Sequence, residues 1–125
     1  DPLQVTAAFN RNVLVRMNRE LGADLPLDAF AHQAVWDARA SRVEMRLVAA
    51  RGVDVEIPAA GVSTRIEAGE WIWTESSYKF TMEGIGAMAA EAGLEAGLQW
   101  IDTEAGFALT LMRPKAAAGT AEPPT

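Results

Sequence analysis

The chain contains no cysteine, which excludes disulfide frameworks, thiolate zinc sites and cysteine nucleophiles. Histidine is nearly as scarce, because His32 is the only one. A lone imidazole has no second histidine with which to share a metal. A Ser-His-Asp arrangement would have to use it, yet no G-x-S-x-G elbow exists in the sequence. Walker, HExxH and calcium-loop spacings are missing as well. Positive charge is also short: 11 Lys and Arg against 17 Asp and Glu leave a net charge of −6. A duplex-binding module carries a basic face, so no nucleic-acid partner is expected. No run approaches the ~20 apolar residues of a membrane span, and no secretory apolar region is evident. The expectation is a protein without a membrane partner, cytoplasmic by default.

What is present is a globular composition. The chain has 125 residues, of which 50% are apolar and 22% charged, enough to bury a core without metal or crosslink. It begins at Asp1 rather than a methionine, which raises the expectation of a piece of something longer.

Periodicity divides the chain. Phe9, Val13, Met17 and Leu21 recur at i+4 with Leu14 beside them, predicting a helix from Thr6 to Leu21. Thr6 is its N-cap candidate, Gly22 its C′ residue, and Asn10, Arg11, Asn18 and Arg19 fall away from the stripe. A shorter helix is expected over Leu27–Ala34, followed by a short strand over Ala34–Asp37. From Arg42 to Val48 the period becomes two, with Val43, Met45 and Leu47 opposite Arg42, Glu44 and Arg46. Val53–Ile57 reads as its hairpin partner, and Val62–Glu67 and Trp71–Ser77 as further antiparallel strands. The helical period returns over Thr81–Ala92. Strands over Leu94–Asp102 and Phe107–Met112 follow, then a small-residue, proline-containing tail expected to be disordered.

Two motifs deserve weighing. Gly84-Ile85-Gly86-Ala87-Met88-Ala89 matches G-x-G-x-x-A, but a cofactor fingerprint needs a strand and a tight turn before its helix. These glycines lie inside an amphipathic helical pattern, so no cofactor loop is read here. In Trp71–Ser77, an extended backbone projects Trp71, Trp73, Glu75 and Ser77 to one face. A carboxylate and a hydroxyl two residues apart, beside indoles, suit a small nitrogenous ligand. They equally suit a solvated strand end with an aromatic pair in the core.

The run Val5-Thr6-Ala7-Ala8-Phe9-Asn10-Arg11-Asn12-Val13-Leu14-Val15-Arg16-Met17-Asn18-Arg19-Glu20-Leu21-Gly22 strongly resembles a bacterial family. So do Leu27-Asp28-Ala29-Phe30 with His32, Ala34 and Trp36, then Ser41-Arg42-Val43-Glu44-Met45. Ala68-Gly69-Glu70 leading to Thr74-Glu75-x-Ser77-Tyr78-Lys79-Phe80 completes the pattern. The family is the L-histidine Nα-methyltransferases of ergothioneine biosynthesis and their histidine-specific relatives. The resemblance covers about Val5 to Met112.

It implies a two-domain enzyme that uses S-adenosylmethionine to trimethylate the α-amino group of L-histidine. The family's imidazole-gripping glutamate and serine fall on Glu75 and Ser77, its pocket methionine on Met45, and a pocket-edge threonine on Thr6. For Met45 and Thr6 only the resemblance speaks. The implied fold is α+β: residues 1–80 a substrate-binding domain with an antiparallel sheet and helices, residues 81–113 the closing helix and antiparallel strand pair of a Rossmann-like domain, and 114–125 a tail. The family's cofactor loop and amine clamp would precede this stretch. The chain therefore reads as a C-terminal fragment that alone binds no cofactor and is inactive, with exposed strand edges favouring self-association. The competing readings are a stand-alone binding or scaffold domain, and a relative acting on another amino acid.

Overall fold

A computed structural model describes residues 4–116, and the chain divides between Lys79 and Phe80 into two compact units. Helix α1 (Val5–Leu21) opens the first. Its N-cap is Gln4 in the left-handed region, with no side-chain cap. The cap therefore lies two residues before Thr6, which sits inside the helix rather than capping it. Gly22 does close it, at φ 66° with its N–H donating to Met17 O, a conformation that costs glycine nothing.

The inward face of α1 also differs from the apolar stripe. Leu14 and Asn10 are its buried residues, while Phe9 is 67% exposed. Asn18 is turned inward too: it donates to Leu25 O and accepts from Leu25 N. Both asparagines satisfy backbone groups of other segments, which an apolar count ignores.

The expected second helix is only a 3-10 turn, Leu27–Ala29. Strand β1 begins at once and runs Phe30–Asp37, because Phe30 and Ala34 face a sheet partner rather than each other. Strands β2 (Arg42–Ala49) and β5 (Trp71–Tyr78) complete a three-stranded antiparallel sheet, ordered β1-β2-β5. Strand β3 (Val53–Ile57) does not pair with β2 as expected. It pairs with β4 (Val62–Ile66) in a separate hairpin, since both edges of β2 are already taken.

The core of this unit collects Leu14 of α1, Leu25, Ala29, Phe30, Leu47 and Ala49, with Val53, Val55 and Ile57 from β3. It fills one end of a single face of the three-stranded sheet. Phe30 pairs with Ala49 and His32 with Leu47 there. Further along the same face, Ala34 pairs with Met45 and Trp36 with Val43.

In the second unit, α2 (Met82–Glu91) packs on β6 (Leu94–Asp102), which pairs antiparallel with β7 (Phe107–Pro114). Thr81 caps α2, its hydroxyl accepting from Gly84 N at 3.0 Å. Lys115 N donates to Gly93 O, so Pro114 and Lys115 are held, and the remainder of the expected tail, 117–125, lies outside the described residues. No helix among the described residues is long and apolar enough to cross a membrane.

Candidate functional site

Strand β5 does not alternate as an uninterrupted strand would. Glu75 pairs with Met45, yet Trp73 pairs with Arg46, the very next residue of β2. Thr74 is left over, so β5 carries a bulge at that point. Directly opposed residues share a sheet face, and the consequence is a change of side. Trp71 and Trp73 join Val48 and Arg46 on one face, while Glu75 and Ser77 join Met45 and Val43 on the other. The expectation that the two indoles flank Glu75 and Ser77 is thereby overturned.

The indoles have other partners. The Arg42 guanidinium stacks 4.5 Å over the Trp73 ring and also lies over Tyr78, and Arg46 stacks 4.4 Å over Trp71. Between the two arginines lies Glu44, buried, bonded by Arg42 Nη2 at 2.9 Å and Arg46 Nη2 at 2.5 Å. Hydrogen bonds from Arg46 and then Arg42 hold its carboxyl below the usual carboxylate range despite its burial. This face is a self-satisfied ladder of stacked charges and rings.

The opposite face is where Met45, Glu75 and Ser77 come together. Met45 and Glu75 are direct partners, and Ser77 lies one pair on, opposite Val43. Trp36 of β1 borders them through its own pairing with Val43 and is 54% exposed. Ser77 Oγ accepts from Lys79 Nζ at 2.9 Å. Thr6 is half-buried on α1, four residues before Asn10 and so on the same helix stripe.

Asn10 marks the boundary between this open end and the core. Only 4% exposed, it donates from Nδ2 to Arg46 O at 3.1 Å and to His32 Nδ1 at 2.9 Å. Its Oδ1 accepts from the Thr74 hydroxyl at 2.5 Å. An amide nitrogen can only donate, so His32 Nδ1 is the acceptor in that contact. His32 is thus held on β1, facing α1.

Sequence reasoning missed Asn10 and Thr74. Asn10 was discoverable, since it stands four residues before Leu14 and four after Thr6. Thr74 gave no signal, because a bulge preserves composition while shifting register.

The G-x-G-x-x-A segment sits within α2, its first turn closed by Thr81. Gly84 and Gly86 both lie inside the helix, past its cap, rather than in a tight turn ahead of it. These residues do not fit an adenosyl-cofactor cradle. Nor do the described residues contain a His, Asp and Glu cluster able to hold a metal ion.

Residues 1–114 match the model of the histidine-specific, S-adenosylmethionine-dependent methyltransferases. The chain belongs to this family. A protein named histidine N-alpha-methyltransferase in Mycolicibacterium smegmatis is 46% identical over 111 residues, which is 89% of this chain and 35% of that protein. One of the same name in Mycobacterium tuberculosis is 44% identical over 111 residues, again 35% of its length. The chain thus spans about a third of the relatives it matches.

Proposed function

We propose that this segment supplies the imidazole-gripping part of a histidine site in an S-adenosylmethionine-dependent methyltransferase. The observation that carries the reading is the convergence of Met45, Glu75 and Ser77 on one open sheet face, in a chain of the histidine-specific family. The Glu75 carboxylate accepts from the ring N–H of histidine in a charge-assisted hydrogen bond. Lys79 occupies the Ser77 oxygen as acceptor, leaving the hydroxyl proton for the second ring nitrogen. Met45 packs its thioether against the ring, and Thr6 edges the pocket from α1.

A neutral imidazole with one donor and one acceptor nitrogen matches this pair, whereas an apolar side chain would offer neither group a partner. The domain assignment follows: residues 1–80 recognise substrate, and 81–113 are the closing helix and strand pair of a Rossmann-like domain. Because the α2 glycines do not fit the cofactor, methyl transfer is assigned to no residue of this chain. In the intact protein the product would be the α-N-trimethylated histidine of ergothioneine biosynthesis, made in the cytoplasm.

The test is product analysis by mass spectrometry after incubating the intact protein with L-histidine and S-adenosylmethionine. Mono-, di- and trimethylated species modified at the α-nitrogen are expected. Ring-methylated histidine, or no methylated histidine, would overturn the reading.

A further inference from the structure

The side to which Glu75 projects is decided by one residue, Thr74. Counted without interruption from Trp71, the strand would place Glu75 beside Trp73 on the Arg42–Glu44–Arg46 face. The extra residue moves Glu75 and Ser77 together onto the Met45 face, since a one-residue slip reverses every side chain beyond it.

The bulge is clasped from both faces. On the helix side the Thr74 hydroxyl donates to Asn10 Oδ1 at 2.5 Å and lies 3.0 Å from Met45 O. Asn10 Nδ2 in turn donates to Arg46 O. Met45 and Arg46 are the two residues across which the register jumps, so the two side chains lie against the carbonyls on either side of the jump. On the other face the Trp73 indole N–H reaches Glu75 O and Ser76 Oγ, each at 3.1 Å, with Arg42 stacked above it. Asn10 is buried and its amide fully engaged, which makes it a fixed post rather than an adaptable contact.

We infer that Asn10 and Thr74 are positioning residues for histidine recognition, holding the bulge that turns Glu75 and Ser77 into the site. They touch the substrate only through those two side chains, and the inference rests on the reading of Glu75 and Ser77 as imidazole partners.

The experiment compares Thr74→Val, Thr74→Ser, Glu75→Ala and the Thr74→Val/Glu75→Ala double variant in the intact protein, by steady-state kinetics on L-histidine. Thr74→Val should raise KM about tenfold with kcat changed less than about twofold, and Thr74→Ser should restore it. On the Glu75→Ala background, Thr74→Val should add less than about twofold, because its effect runs through Glu75. A raised KM in Glu75→Ala beside an unchanged one in Thr74→Val overturns the positioning role alone, as do effects that multiply in the double variant. An unchanged KM in Glu75→Ala overturns the site reading and the inference with it. Should Thr74→Val fail to fold, Thr74→Cys keeps the volume with a weaker donor and carries the same comparison.

Discussion

Met45 and Glu75 face each other directly across β2 and β5, although the separate hairpin Val53–Ile66 lies between them in the chain. Their meeting depends on a bulge one residue away, so the site is a product of register and not of proximity in sequence. The core lies further along the same face and anchors it: Leu47, two residues from Met45, is fully buried beneath α1.

That anchoring gives a first prediction. Leu47→Ala removes a fully buried side chain from the central strand and should destabilise the first unit by about 2–5 kcal/mol. Urea unfolding followed by circular dichroism measures it. A loss below about 1 kcal/mol would show that the strand is not held as described.

Much of this arrangement was legible in the sequence. The period-two pattern of Arg42–Val48 gave β2 nearly to the residue, and the return to helical spacing after Thr81 gave α2. Pairing was less legible. Val53–Ile57 alternates as well as any strand, but alternation does not name a partner, and β2 was already flanked by β1 and β5. The association of Glu75 with Ser77 followed from simple i, i+2 spacing, and it survives because both lie beyond the bulge. Their separation from Trp71 and Trp73 was not readable, because the residue that shifts the register is an ordinary threonine.

Glu44 yields a pH dependence. Its folded carboxyl titrates below the ordinary glutamate range because Arg46 and Arg42 hydrogen-bond the ionised form. A lowered folded value means the unfolded chain binds the proton more readily, so stability rises with pH in this window. The contribution is fully present above the ordinary glutamate range and lost as pH falls through the lowered folded value. Glu44→Gln should lower the urea midpoint at neutral pH and flatten the acid limb of the stability profile. Parallel profiles for the two proteins would contradict this role.

The second unit predicts self-association of the 125-residue chain. Among the described residues its sheet has two strands, and Trp100, Phe107, Leu109 and Leu111 are all more than half exposed. A two-stranded sheet with an apolar face is marginal alone and offers unpaired edges. Sedimentation velocity over a concentration series should show growing species. A monomer at every concentration would count against it.

The central claim is that Glu75, aimed by the bulge beside Met45 and Ser77, accepts the ring N–H of histidine. Calorimetric titration of L-histidine into the intact protein and its Glu75→Ala variant tests this most directly. The variant should bind more weakly by about 1.5–3 kcal/mol, the worth of a hydrogen bond to a charged acceptor, with its thermal stability unchanged. Equal affinity in the two proteins would contradict the account.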